Sequence, residues 1–474
     1  MEDARVSPGA KVRRDWTQGN IFTNLISISW PMAVTQTLMS LGPTIDMIWV
    51  GKLGDAAVAA VGVSGVVVML AMGVMMGFTT GILALISRAV GARDYDAANH
   101  VAQQAVVVAV TYAVIIALVG EFLGRRIVLF ITSDPQIVEL GTAYLRIELV
   151  GGATMVFRMT MDVIMQASGD TFNPMWIAAV YRGLHIIVCP FLVFGLWIFP
   201  QVGVRGAAFT GVIAQGLGVT LGLRVLFSTR SRLRLSFKRF RFDAGVVSRI
   251  LRIGFPACVS GIQRSLSQFF LQVFIAPFGD AALAAHVISQ RLEMFIFMPA
   301  MAFGMGAGVL VEQNLGALRP DRAEKSAWLA VGVVEGFILV AATVMFIWTG
   351  PVVRIFNNDP TMDAVAIQFI HIAVVGWLVM GFGFVLMSCL QSAGDTIPVM
   401  IISIATTWLV TILPAYLLPK YTSLGVVGVR WAMSGTMVVT AIANVIYFRT
   451  GRWKTRRVFG RSAAPAVEAA ATGV

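Results

Sequence analysis

The residue with the clearest chemical potential in this sequence is an aspartate inside an apolar stretch. Asp46 lies in the run TIDMIWV at 44–50, and no basic residue falls within four positions of it. An ionisable side chain at the centre of a membrane span costs about 2.5–3.5 kcal/mol on insertion scales, so each one is a candidate for function. A carboxyl group shielded from water is able to exchange a proton near neutral pH. Asp46 is therefore our first candidate for an ion-coupling acid; the alternative is a helix-capping or hydrated aspartate.

Two further groups in apolar stretches are weaker candidates. Asp162 follows Arg158 by four residues, which places both side chains on one helix face, where they are able to pair. We favour that structural pairing and keep Asp162 as the second choice for a transport acid. His185, His286 and His371 also lie in apolar stretches and are able to relay protons, although a lone histidine in a span is more often a hydrogen-bonded interior group.

The composition excludes a water-soluble protein. The chain has 474 residues, of which 57% are hydrophobic and 13% charged, and its mean hydropathy is +0.81. Soluble domains have about 45–50% apolar and about 25% charged residues. A soluble enzyme, a disordered chain and a fibrous protein are all excluded. We predict a polytopic membrane protein.

Sequence motifs for catalysis or metal binding are missing. The three cysteines (Cys189, Cys258 and Cys389) lie in apolar runs without CxxC spacing, so we predict neither a zinc site nor a disulfide framework. There is no Walker A run, no GxSxG and no HExxH. We therefore expect no cofactor, no direct use of ATP and no enzymatic activity.

The apolar runs predict an all-α protein with twelve spans, since one helical crossing needs about 20 residues. The spans are 24–49, 58–87, 98–121, 137–166, 173–199, 204–227, 248–276, 283–312, 324–350, 362–391, 397–419 and 424–448. They divide the chain into an N-terminal arm (1–23), an N-lobe of six helices (24–227), a basic linker (228–247), a C-lobe of six helices (248–448) and a basic tail (449–474).

The positions of the basic residues predict the orientation. Of the 36 lysines and arginines, 24 lie in the two terminal segments and the even-numbered connections, and 7 lie in the other loops or at their edges. Cytoplasmic loops collect positive charge, so we expect both termini in the cytoplasm and a multi-pass protein of the plasma (inner) membrane. Topology accounts for the net charge of +12, and we expect no nucleic-acid partner.

The two halves of the chain repeat one another with a constant offset of 225 residues. The recurring pairs are Trp30-Pro31 with Phe255-Pro256, GDAAVAA at 54–60 with GDAALAA at 279–285, Gly91-Ala92 with Gly316-Ala317, Asp134-Pro135 with Asp359-Pro360, and QASGDT at 166–171 with QSAGDT at 391–396. Because each half has an even number of spans, the halves are related by a pseudo-twofold axis along the membrane normal. Asp46 corresponds to Leu271, so only the N-lobe has this acid.

A duplicated helical bundle of this kind is typical of alternating-access carriers, in which the substrate path runs between the halves. A channel is the alternative from another functional class. A channel passes current without exchanging a counter-ion, so stoichiometric antiport would exclude it.

The residues also resemble one transporter family over nearly the whole chain, from about Trp30 to Arg449. The matching motifs are DMIWVGKLG at 46–54, SRAVGARDYDAA at 87–98, QASGDT at 166–171, GAAFTGVIAQ at 206–215, AAHVISQRLE at 284–293, EQNLGALRPDRAE at 312–324 and QSAGDT at 391–396. The chain is similar to the multidrug and toxic compound extrusion (MATE) transporters. The resemblance implies export of small organic, often cationic, compounds in exchange for protons or sodium, with Asp46 as the coupling acid.

Several positions depart from the family pattern. Where many members have Asn and Asp in span 5, this chain has His185 and Cys189, and where they often have Thr in span 6 it has Gly211, with Thr210 beside it. Sodium-coupled members have an acid in span 7, and the aligned residue here is Arg264.

These departures favour H⁺ over Na⁺, and they make His185 a candidate for tuning the proton affinity of Asp46. Cys189, Thr210, Asp162 and Arg264 are possible supporting polar residues, and no metal site is expected. We expect a monomer in the lipid bilayer. A lipid-linked sugar flippase of the same superfamily is the alternative within transport.

Overall fold

The described chain is almost entirely helical. The computed structural model describes residues 15–197, 199–228, 232–238, 240–354 and 360–456, and no strand occurs in these ranges. Residues 1–14 and 457–474, which include most of the predicted arm and tail, lie outside them, as does Asp359 of the repeat. The helices are α1 (Ile21–Val50), α2 (Asp55–Gly91), α3 (Tyr95–Leu118), α4 (Gly124–Ile131), α5 (Pro135–Val150), α6 (Gly152–Ala167), α7 (Phe172–Phe194), α8 (Val204–Phe227), α9 (Ala244–Ile275), α10 (Asp280–Gly316), α11 (Pro320–Ile347), α12 (Thr349–Arg354), α13 (Pro360–Trp377), α14 (Met380–Ser392), α15 (Thr396–Ala405), α16 (Leu413–Tyr421) and α17 (Val427–Arg449).

These helices join into twelve rods in the described part of the chain. α3 continues through a π-helical stretch at 119–123 into α4, and α15 continues through another at 406–412 into α16. α5 and α6 meet at Gly151, α11 and α12 meet at Trp348, and α13 is followed by α14 after a bend of 51°. Each rod matches one predicted span, although the α3–α4 rod ends at Ile131, ten residues beyond the predicted end at 121.

The boundaries of the helices follow the repeat seen in the sequence. α2 (Asp55–Gly91) and α10 (Asp280–Gly316) are offset by 225 residues at both ends. The short 3₁₀ turns that precede them, Gly51–Leu53 and Ala276–Phe278, have the same offset. The duplication is therefore a duplication of structure as well as of motifs.

Nine of the described helical stretches are long and apolar enough to cross a membrane. The number is ten if the bent α13–α14 pair counts as one crossing. The α1 helix and the α5–α6 rod are not among them; the α5–α6 rod is interrupted at Gly151 and has charged residues on both sides of the break, including Arg146 and Asp162.

The bend between α13 and α14 is stabilised by an acid from a neighbouring helix. The first amide groups of any helix lack partners within that helix. Glu335 of α11 accepts a hydrogen bond from the backbone N–H of Phe382, at 3.0 Å, in the first turn of α14. Glu335, which lies in the apolar part of α11, therefore has a structural partner.

Contacts divide the described residues into two compact units. The first unit consists of the described residues within Met1–Val68, Leu85–Val247 and Gly316–Arg319. The second consists of the described residues within Met69–Ala84, Ser248–Leu315 and Pro320–Val474. In the first unit α7 packs against α1 and α8; in the second, α17 packs against α13 and α14. Small residues allow the close approach of α7 and α8, since a Cβ at Gly206 would lie 2.6 Å from the carbonyl oxygen of Leu192.

The repeated QASGDT and QSAGDT turns are held within their units by different partners. Gly169 and Gly394 both have the left-handed φ that favours glycine, +85° and +77°. In the first unit the Trp16 indole donates a hydrogen bond to the Gly169 carbonyl at 3.1 Å. In the second, Arg456 Nε and the Tyr447 hydroxyl donate to the carboxylate of Asp395, at 3.1 and 2.6 Å.

The described part of the linker is bound to α3 through side-chain amides. Gln104 Nε2 donates to the Arg241 carbonyl at 2.7 Å and Gln104 Oε1 accepts from the Asp243 N–H at 3.2 Å. Asp243 also caps the start of α9. The hydrogen bond from the Val246 N–H, and then the one from His100, hold the pKa of Asp243 below its usual value.

Candidate functional site

Asp46 lies one turn before the end of α1 and is 9% exposed. α1 begins at Ile21, where Asn20 caps the helix by accepting from the amides of Phe22 and Thr23. Pro31 and Pro43 lie inside this helix, and each removes one backbone donor.

Two residues of α7 contact the Asp46 carboxylate. His185 Nε2 lies 3.0 Å from Asp46 Oδ1, and the imidazole is 2% exposed. Cys189 follows one turn later, and its thiol lies 3.8 Å from the same oxygen. His185 and Cys189, the two positions in α7 that depart from the family pattern, therefore both face Asp46.

A guanidinium closes the other side of the imidazole. Arg182 Nη1 lies 2.7 Å from His185 Nδ1, Nε donates to the Leu38 carbonyl at 2.8 Å, and Nη2 donates to the Met39 carbonyl at 3.3 Å. The Met39 carbonyl would ordinarily accept from the residue four positions later, but that residue is Pro43, which has no N–H. Arg182 therefore supplies the donor that proline removes.

The contact with Arg182 determines which nitrogen of His185 has the proton. A guanidinium donates hydrogen bonds and does not accept them, so Nδ1 must be the acceptor. Nε2 then has the hydrogen and donates it to Asp46. His185 is accordingly a neutral imidazole that donates to the Asp46 carboxylate.

A second acid that the sequence analysis did not select lies near Asp46. Glu148 of α5 interacts electrostatically with Asp46. A Cβ built on Gly211 would lie 3.5 Å from Glu148 Oε1, an ordinary van der Waals distance, so α8 comes close to this carboxylate at Gly211. Tyr144, one turn before Glu148, packs in the apolar cluster that contains Cys189. The available signal was an acid inside an apolar span, the same signal that identified Asp46.

Asp162 is paired as the spacing predicted. Arg158 Nη1 lies 2.5 Å from Asp162 Oδ2, and Arg158 Nε donates to Gln215 Oε1 at 3.4 Å. The guanidinium also lies 5.0 Å from the centre of the Tyr181 ring. Arg158 is 3% exposed, so the pair is a buried ion pair within α6.

Among the described residues, the other two predicted supporting residues, Thr210 and Arg264, do not hydrogen-bond to Asp46. The Thr210 hydroxyl donates to the Gly206 carbonyl of its own helix at 2.7 Å. Arg264 lies in α9, in the second unit, and its side chain is exposed.

The repeat position equivalent to Asp46 is apolar in structure as well as in sequence. Leu271 packs in a cluster with Ile275, Ala282, Ala415 and Val429. Glu293 of α10 in that unit lies 3.8 Å from Arg430 and accepts from the Trp377 indole at 3.4 Å. Arg430 is buried in α17.

The donor atoms of Asp46, His185 and Cys189 lie within 4.8 Å of one another, and in the described residues this is the trio with a spacing that fits a metal ion. One oxygen, one nitrogen and one sulfur are a ligand set for zinc-like ions rather than for sodium. The sequence alone indicated no such site, because the three residues are up to 143 positions apart.

Comparison with known proteins decides the family. The family model described as MatE matches residues 31–191 and 256–417, one segment in each half of the chain. The chain belongs to the MatE family. A probable multidrug resistance protein NorM of Thermotoga maritima is 24% identical over 451 residues, covering 92% of this chain and 94% of the relative. A multidrug export protein MepA of Staphylococcus haemolyticus is 23% identical over 421 residues, covering 88% of this chain and 90% of the relative.

Solved structures show the same fold. A multidrug resistance MATE family transporter in an outward-facing conformation has a TM-score of 0.86 at 23% identity, with 92% of this chain and 96% of that chain covered. A transporter of the MOP superfamily from Pyrococcus furiosus also has a TM-score of 0.86, at 22% identity, with 93% and 98% covered. The predicted membrane architecture of twelve helices in two lobes is confirmed. The relatives are transporters, which also confirms that this MatE protein is not an enzyme.

Asp162→Asn should destabilise the protein by about 3–5 kcal/mol, because removal of one partner leaves the Arg158 charge buried without compensation. Thermal unfolding of the detergent-purified protein measures this loss. The double variant Arg158→Leu/Asp162→Leu should recover much of the stability, since it removes both charges. A single variant as stable as the parent would contradict the structural role of the pair.

Proposed function

We propose that the protein is a secondary antiporter that exports small organic compounds, cationic or amphipathic, in exchange for H⁺ by alternating access. The observation that carries this proposal is the buried Asp46 carboxylate in α1, hydrogen-bonded to His185 of α7. Relatives named as multidrug resistance and multidrug export proteins support the substrate class.

The atoms around Asp46 favour a proton over sodium. Hard cations take oxygen ligands, whereas the α7 neighbours of Asp46 offer a ring nitrogen and a sulfur. In the second unit, Arg264 occupies the position at which sodium-coupled members have an acid. A proton needs one basic atom, and the Asp46 carboxylate supplies it.

Protonation of Asp46 changes the contact between α1 and α7. The ionised carboxylate accepts the Nε2–H of His185, and a hydrogen bond to a charged group contributes about 1.5–3 kcal/mol. A protonated carboxyl group is a weaker acceptor, so the contact weakens when the proton binds. We propose that this difference couples proton binding to movement of α1, with Glu148 as a second carboxylate in the same surroundings.

The location proposed for this transporter follows from its charge distribution. We propose a monomer in the plasma (inner) membrane with both termini cytoplasmic, because 24 of the 36 basic residues lie on that side in the predicted topology. Addition of an impermeant thiol or amine label to a terminal tag, in intact and in permeabilised cells, tests the orientation.

Proteoliposomes with imposed gradients test the function directly. Efflux of a cationic dye should be driven by a pH gradient with sodium absent and should stop when that gradient is collapsed. Full efflux driven by sodium without a pH gradient would overturn proton coupling. Flipping of a lipid-linked sugar precursor without dye efflux would support the flippase, and current without exchange of protons would support a channel.

Asp46→Asn should abolish gradient-driven efflux and leave folding intact, because the amide does not exchange a proton yet has nearly the same shape. Initial dye efflux in proteoliposomes, normalised to the amount of folded protein, is the measurement. Asp55→Asn is the matched control, since Asp55 is an exposed acid at the start of α2. Efflux by the Asp46 variant at the parental rate would remove Asp46 from the mechanism.

His185→Asn should move the pH profile of efflux by about one pH unit, because it alters a hydrogen bond to the coupling carboxylate. About 1.36 kcal/mol corresponds to one pKa unit, and a charge-assisted hydrogen bond has at least that magnitude. The efflux rate is measured over a series of pH values at a fixed pH difference across the membrane. An unchanged profile would leave proton affinity to Asp46 alone and exclude His185 from the coupling site.

A further inference from the structure

The coupling site has the donor atoms of a transition-metal site, although it is proposed to work with protons. Asp46, His185 and Cys189 offer a carboxylate oxygen, an imidazole nitrogen and a thiol sulfur, all within 4.8 Å of one another. Zinc-like ions bind such sets with ligand distances of about 2.0–2.3 Å. The ionised carboxylate and thiolate would also neutralise a divalent ion, so the set alone would favour metal binding.

The orientation of the proton on His185 opposes that binding. Arg182 donates to Nδ1, at 2.7 Å, and this leaves the hydrogen on Nε2, the nitrogen that faces Asp46. A metal ion needs the bare lone pair of Nε2. A metal-bound histidine also donates its other ring N–H to an acceptor, and Arg182 has no acceptor atom to offer.

The positive charge of Arg182 also opposes metal binding. Its guanidinium stays protonated at any physiological pH, and it lies against the imidazole ring. A divalent ion bound to Nε2 would be repelled by this fixed charge across a single ring. The guanidinium repels a proton on Asp46 much less, because the proton adds one charge rather than two and binds to the carboxylate instead of the ring.

The structure holds Arg182 in this place through α1. The Leu38 and Met39 carbonyls accept from Nε and Nη2. Gly42 leaves room for the guanidinium against α1, since a Cβ at this position would lie 2.4 Å from Arg182 Nη1. The neighbouring Tyr181, also in α7, has its ring centre 5.3 Å from the guanidinium carbon of Arg182. The guanidinium is thus held by backbone carbonyls of α1, and no acidic side chain in the described part of the chain forms an ion pair with it.

We propose that Arg182 is a positioning residue that keeps the Asp46–His185–Cys189 site selective for protons by excluding zinc-like divalent cations. This inference deepens the proposed function and rests on it for its biological meaning. The exclusion itself is a property of the site and is measurable without transport.

Binding of Co²⁺ to the purified protein tests the proposal. Cobalt(II) bound to a thiolate gives a ligand-to-metal charge-transfer band in the near ultraviolet and d–d bands in the visible. The parent protein should give no such bands. Arg182→Gln should give both, because the glutamine oxygen is able to accept the Nδ1–H and the positive charge is gone. Loss of a favourable partner of a metal-bound histidine changes affinity about 10–100-fold, so we expect at least a tenfold gain.

Three further variants make the test specific. Arg182→Lys keeps a charged donor and should still exclude Co²⁺. Arg182→Gln/Cys189→Ser should lose the charge-transfer band, which shows that the metal occupies this site. Gly42→Ala adds a methyl group that displaces the guanidinium without removing it, and this variant should also bind Co²⁺. It provides the test if Arg182→Gln does not fold.

The outcomes separate this inference from the proposed function. Equal Co²⁺ affinity of the parent and Arg182→Gln, or no Co²⁺ binding by either Arg182→Gln or Gly42→Ala, would overturn the role of Arg182. Sodium-driven efflux would overturn proton coupling and leave the Co²⁺ result standing. Gain of Co²⁺ binding together with proton-driven efflux by the parent supports both.

Discussion

In the interior of a membrane protein every buried polar group must find its partner within the protein, because lipid offers none. Several otherwise unusual residues of this chain satisfy that constraint. Arg182 donates to the carbonyl that Pro43 leaves without a helix partner, and Glu335 accepts from the first turn of α14 at the bend. Arg158 and Asp162 neutralise one another within α6. These charged residues of the spans therefore have structural partners.

Asp46 differs from these residues in having neutral partners. His185 and Cys189 offer it hydrogen bonds, and no guanidinium among the described residues pairs with it directly. Arg182 lies on the far side of the imidazole and donates to Nδ1, which leaves the hydrogen of the ring on Nε2, facing Asp46. The charge of Arg182 thus acts on Asp46 through His185 rather than by direct pairing.

The duplication gives the molecule two similar frameworks with different chemistry. α2 and α10 share their boundaries at an offset of 225 residues, yet the position of Asp46 is occupied by Leu271 in an apolar cluster. Backbone geometry depends on small residues, turns and apolar pattern, and those are retained in both halves. A single side chain changes a site without changing the helices that hold it. One half therefore has an acid at a position that is apolar in the other half, while both keep the same architecture.

The sequence by itself determined the membrane class, the twelve helices, the repeat, the Arg158–Asp162 pair and the choice of Asp46, because these depend on local periodicity, on spacing within one helix or on a constant offset. Neither the composition nor the spacing of residues identified the partners of Asp46. His185 and Cys189 were pointed out by a family resemblance, and Glu148 was passed over. Whether α7 turns these side chains toward α1, and whether Arg182 reaches the Leu38 and Met39 carbonyls, was decided only by tertiary packing. Contacts between residues about 140 positions apart depend on helix rotation and side-chain reach, which no local pattern in the chain encodes.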